Sequence, residues 1–198
     1  MISLEKSLAK RKFNTRQITV VGVLSAISIV LGALGIGFIP LPMAKATIMH
    51  IPVIIGAILE GPVVGVMAGL IFGIFSIVQN MANPSILSFA FLNPLVSVLP
   101  RMLIGVTAYY GYRIPFFKNN LLKTGISAAI GSLTNTAGVL GMIYLLYAEQ
   151  YAAANNLDAA AAAKAIFGIA VVNGIPEAVV SVAITIPVVI AVRKISRK

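Results

Sequence analysis

The chain has 198 residues, of which 59% are apolar and only 10% charged, and its mean hydropathy is +1.00. A water-soluble surface needs far more charge, so the expectation is one all-α domain, residues 1–198, embedded in a lipid bilayer. Cysteine is absent and His50 is the only histidine, which excludes disulfides, cysteine nucleophiles and multi-histidine metal sites.

Residues 1–17 form a basic segment carrying Lys6, Lys10, Arg11, Lys12 and Arg16. The apolar run 18–39 follows. It is too long for a typical cleaved signal core and precedes five further apolar stretches, so it reads as a signal anchor and first transmembrane helix. On it, Gly22 and Ala26 lie one turn apart as a small-residue patch, suited either to packing within the chain or to receiving a partner subunit. A Gly- and Pro-bearing connection, 35–45, leads to a second helix over 46–59. At about 20 residues per crossing, that helix is short, so it crosses part of the bilayer or begins inside a cavity. His50 falls near its outer end, as a packing residue or a ligand contact.

A tight Glu60-Gly61-Pro62 turn leads to a third helix over 62–79. Gly61, Gly65, Gly69 and Gly73 recur every fourth residue, a spacing that lets neighbouring helices approach closely. Asn80 and Asn83 open a second outer connection, where cap and turn roles compete with ligand contact. The fourth helix, 91–112, carries Asn93 near its start and Pro100-Arg101 about nine residues in, roughly 14 Å deep at ~1.5 Å per residue. The fifth, 123–147, has Asn135 near its middle and ends in Tyr144 and Tyr147, which serve as interfacial anchors or as a pocket wall. A third outer connection, 147–164, contains the Ala159–Ala163 run, expected to extend the sixth helix outward. That sixth helix, 165–192, holds Asn173 one turn from Glu177, with Pro176 and Pro187.

The net charge of +10 does not require nucleic acid. Twelve of the fifteen basic residues fall before the first helix, between the fourth and fifth (Arg113, Lys118, Lys123), and after the sixth (Arg193, Lys194, Arg197, Lys198). Six crossings with both termini cytoplasmic place all three clusters on the side that Lys and Arg favour.

An ionisable side chain at the bilayer centre costs about 2.5–3.5 kcal/mol on insertion scales, so it normally faces the bundle interior with a partner. Arg101, Asn135, Asn173 and Glu177 sit at similar depth and can converge in one layer. Two readings fit. Arg101 and Glu177 form an ion pair that only ties two helices, or Arg101 holds an acidic ligand group, which the guanidinium fork suits, while Glu177 orients the network. Proline breaks beside both charges favour a cavity. Long outer connections above a polar interior suggest a lid. No nucleotide-binding loop, G-x-S-x-G or H-E-x-x-H sequence is present, and no half repeats the other.

The stretches ATIMHIPVIIGAILEGPVVGVMAGLIFG (46–73), NPLVSVLPRMLIGV (93–106), GSLTNTAGVLGMIYL (131–145) and VVNGIPEAVVS (171–181) resemble the substrate-binding S components of energy-coupling factor (ECF) vitamin transporters, in the branch for pantothenate and related small vitamins. The resemblance covers nearly all the chain after Ile18. It implies a multi-pass protein of the bacterial plasma membrane, not an enzyme and without a cofactor, that binds a vitamin from outside. Its partners would be a membrane coupling subunit and two cytoplasmic ATPases, and it would topple to release substrate. The family's helix-one motif is Ala-x-x-x-Ala, for which this chain has Gly22-x-x-x-Ala26. The substrate candidates are pantothenate, whose carboxylate suits Arg101 and whose hydroxyls and amide suit asparagines, and other vitamins such as riboflavin, a pyridoxine form or a thiamine precursor. With few aromatics and no tryptophan, a large stacked ring is disfavoured. A self-sufficient carrier or channel, and a small membrane enzyme using Glu177, are the readings from other classes.

Overall fold

A computed structural model describes residues 14–40, 45–84, 87–117 and 119–196. Lys6, Lys10, Arg11, Lys12, Lys118, Arg197 and Lys198 lie outside these residues.

Helix α1 runs Thr15–Ala33, six residues short of the expected end. Gly35 adopts φ +73°, a conformation that ends a helix at no steric cost. Instead of helix, residues 38–40 and 45–47 form a small antiparallel ribbon, β1 (Phe38–Pro40) and β2 (Lys45–Thr47), in which Phe38 faces Thr47 and Ile39 faces Ala46. The end of the first predicted helix and the start of the second are therefore strand.

Helix α2 is only ten residues, Ile51–Glu60. All but Leu59 and Glu60 are buried, and it forms the centre of the molecule. Apolar on every face, it packs Ile54 and Ile58 into a core with Phe72, Ile104, Ala128 and Val189. This is the composition expected of a helix surrounded by other helices. Gly61, at φ +102°, reverses the chain, and α3 (Pro62–Ala82) begins on Pro62, whose missing N–H is no loss at a first turn.

The predicted fourth helix is broken into α4 (Ser88–Phe91), α5 (Pro94–Ser97) and α6 (Leu99–Tyr112). Pro94 starts a new helix after Asn93, whose side chain accepts from the Leu95 N–H at 2.9 Å. Pro100 then begins the long piece.

Helices α7 (Asn120–Ala154) and α8 (Ala159–Ile195) form a long antiparallel hairpin. The expected third connection is largely helical: alanine-rich sequence extends both helices, leaving four linking residues, 155–158. Asp158 caps α8 through a 2.6 Å bond from the Ala161 N–H. α7 kinks at Tyr147, where φ is −138° and ψ 17°. At 35 and 37 residues, both exceed a ~30 Å hydrocarbon layer at ~1.5 Å per residue, so they project beyond it.

Among the described residues, α1, α3, α7 and α8 are long and apolar enough to span a membrane. Their outward faces carry large apolar side chains such as Val23, Ile74, Leu145, Phe167 and Val179, more than half exposed in several cases. Such faces belong in lipid, and the chain is a multi-pass membrane protein.

The four-residue glycine spacing on α3 is a packing device from its second member onward. A Cβ on Gly65 would meet Ala57 and Gly105, and one on Gly69 would meet the Arg101 backbone. One on Gly73 would meet the Ser97 carbonyl. Backbones of α3 and α6 therefore touch almost directly.

Candidate functional site

Close approach of α3 to α6 fixes the backbone on which Arg101 stands. Pro100 has no N–H, so the carbonyl four residues before it, Val96, loses its helical donor. The adjacent Arg101 supplies one. Its Nη1 donates to the Val96 oxygen at 2.6 Å. The guanidinium lies 5.6 Å from the Phe72 ring centroid and 5.5 Å from that of Phe91. A cation desolvated against two aromatic faces gains about 2 kcal/mol or more, which offsets part of its burial cost. Arg101 is 6% exposed, and its Nε has no hydrogen-bond partner among the described residues.

Glu177 is held differently. One carboxylate oxygen accepts from the Thr47 backbone N–H at 2.7 Å, and the other from the Thr136 hydroxyl at 2.6 Å. It thus joins the end of β2 to α7 and α8. The direct Arg101–Glu177 ion pair expected under one reading is not formed. Among the described residues the one ion pair is Arg16–Glu60 at 2.6 Å, and both Glu177 oxygens are taken by neutral donors.

The two asparagines belong to the same layer. Gly138, one turn from Asn135 on α7, abuts Pro100, beside Arg101. Gly174, next to Asn173 on α8, packs on Thr136, beside Asn135. Asn135 and Asn173 are buried, and the side-chain oxygen of each lacks a partner among the described residues. His50, fully buried, stands at the N-terminus of α2 beside the Thr47 backbone. Glu177 is thus bonded to the end of β2, Asn173 stands beside a glycine that packs on Thr136, and α7 abuts the Pro100–Arg101 turn one turn from Asn135. Unpaired buried polar atoms are rare and costly, and a concentration of them marks a place built to contact a polar molecule.

Three other predicted site residues make contacts of their own. Asn80 donates to the Ser76 carbonyl at 2.9 Å and accepts from Ser88 at 3.1 Å, tying α3 to α4. Asn93 caps α5 and donates to the Tyr147 hydroxyl at 3.0 Å. Tyr144 is 49% exposed on the outside of α7, whereas Tyr147, at the kink, packs edge-on against Phe89 at 5.6 Å. Gly22 and Ala26 are exposed, and nothing lies within 4 Å of a Cβ placed on Gly22, so this patch takes no part in packing the chain.

Sequence reading missed Thr47, Thr136, Phe72 and Phe91. Thr136 was adjacent to a residue already singled out. The two phenylalanines carried no signal, because a cation against two rings from other helices has no sequence spacing. Two concavities are lined by none of Arg101, Asn135, Asn173, Glu177 and His50. One, about 470 Å³, is an apolar groove between α1, α2 and α8, and the other, about 520 Å³, is at the Glu60 end of the bundle.

Comparison with known proteins places these features in context. The model of the family described as ECF transporter, substrate-specific component, matches residues 16–189. The chain is 30% identical over 171 residues to a pantothenic acid transporter, PanT, of Lactococcus lactis, covering 78% of this chain and 81% of that protein. It is 32% identical over 114 residues to a pantothenate transporter, PanT, of Leuconostoc mesenteroides, covering 53% of this chain and 56% of that protein.

Proposed function

The chain belongs to the family of substrate-specific components of ECF transporters, and from that premise we propose that it captures pantothenate outside the cell and delivers it to an ATP-driven ECF module. The observation that carries the substrate is that three buried polar atoms, Arg101 Nε and the side-chain oxygens of Asn135 and Asn173, have no partner among the described residues. Arg101 receives the pantothenate carboxylate. The asparagines accept from its hydroxyls and amide N–H, groups an apolar pocket would leave unsatisfied. The names of the two PanT relatives support the same substrate.

Entry from outside passes the β1–β2 ribbon, which must lift. Glu177 is its latch, through the Thr47 N–H. Six crossings complete the arrangement, the second made by the ribbon with α2 and the fourth by α4, α5 and α6 together. Gln17, Glu60, Arg113 and Arg193 line one concavity, which supports placing the basic flanks together on the cytoplasmic side. The exposed Gly22–Ala26 patch is where the coupling subunit docks, with two ATPases bound beneath it.

Calorimetric titration of the purified protein tests the substrate. Arg101→Ala should weaken pantothenate binding about 10- to 100-fold, the worth of a charge-assisted hydrogen bond of about 1.5–3 kcal/mol, while the variant stays folded. Glu177→Ala should speed dissociation by freeing the ribbon. An Arg101→Ala variant with wild-type melting and wild-type affinity would sink the assignment.

A further inference from the structure

At the end of the bundle opposite the ribbon, the C-terminus of α2, the first turn of α3 and the last turns of α6 and α8 surround the concavity of about 520 Å³. We propose that it is a binding site for the phosphate headgroup of an acidic phospholipid, held by Arg113 and Arg193.

Both arginines line the cavity, and neither has a carboxylate partner among the described residues. Each is braced by a tyrosine that also lines it: Arg113 lies 4.7 Å from the Tyr109 ring centroid, and Arg193 the same distance from that of Tyr112. Arg193 also donates to the Tyr112 hydroxyl. Bracing of this kind fixes the guanidinium plane and leaves remaining N–H groups for another acceptor, a pre-organisation that suits a phosphate's several oxygens. Glu60 is the one carboxylate among the lining residues, and its charge is already answered by Arg16 at 2.6 Å. The cavity therefore carries two unanswered positive charges.

A second observation favours a lipid over free phosphate. Leu59 and Glu60 border both this cavity and the apolar groove between α1, α2 and α8. Val20, Leu24, Ile55 and Val188 are among the side chains lining that groove. A headgroup in the polar cavity would have its acyl chain led into an apolar channel. Free phosphate would use only the first half.

Native mass spectrometry tests this on full-length protein extracted from vesicles made of equal phosphatidylcholine and phosphatidylglycerol. The wild type should retain phosphatidylglycerol in preference to phosphatidylcholine. The double variant Arg113→Gln, Arg193→Gln should lose that preference by at least about tenfold, with unchanged melting in phosphatidylcholine alone. Lys194→Gln, which removes a neighbouring charge outside the cavity, should keep it. Equal losses in both variants would reduce the effect to general surface attraction and overturn the site. Stabilisation by millimolar inorganic phosphate in detergent, without retained phosphatidylglycerol, would overturn the lipid in favour of free phosphate.

Discussion

Replacing Gly69 by alanine probes the contact that positions Arg101. The added Cβ would stand 2.7 Å from the Arg101 carbonyl carbon, 3.1 Å from the Met102 Cα, and closer still to the Arg101 oxygen. Ordinary carbon contacts lie at about 3.5–4.0 Å, so α3 and α6 must separate locally by roughly 1 Å. The obstacle is backbone and cannot rotate aside. Overpacking of this kind costs about 1–3 kcal/mol. The consequence reaches the site, because the displaced atoms are Arg101's own backbone and the Phe72 ring against its guanidinium stands three residues from Gly69 on α3. Gly22→Ala is the matched control, since nothing lies within 4 Å of its Cβ. Thermal unfolding in detergent, with and without pantothenate, should show Gly69→Ala melting several degrees below Gly22→Ala and binding the vitamin more weakly. Identical melting and affinity in the two variants would refute the claim that direct α3–α6 backbone contact sets the arginine's position.

Two further outcomes follow from the membrane arrangement. Gly22→Leu with Ala26→Leu should leave pantothenate binding by the isolated protein intact and abolish ATP-dependent uptake when the ECF module is co-expressed; unimpaired uptake would remove the patch from the docking surface. Because the chain has no cysteine, Ser196→Cys and Asn156→Cys each introduce a single thiol. An impermeant maleimide on intact cells should label the second and not the first, and labelling of both or neither would contradict six crossings with a cytoplasmic C-terminus.

Much of the architecture is a one-dimensional property. Lipid demands long apolar helices with internal backbone bonding, so composition and run length were enough to place α1, α3, α7 and α8. Gly65, Gly69 and Gly73 announced close packing because a four-residue period is itself a helix face. The depth of Arg101, Asn135, Asn173 and Glu177 could be counted along their helices. What the count could not supply was which atoms meet. The ribbon needed Gly35 at a positive φ and a pairing partner across a loop, both outside any helical period. The broken fourth span depended on how Pro94 and Pro100 share out unpaired carbonyls, and Val96 found its donor in Arg101 through a side-chain bond. Glu177 and Arg101 carry opposite charges at matching depth, which fits either an ion pair or an arginine that holds an acidic ligand group. Three-dimensional packing gave Glu177 instead to the Thr47 N–H and Thr136. Periodicity decides which face a residue occupies. Only the crossing of helices, fixed by glycines that let backbones touch, decides which donor reaches which acceptor within 3 Å.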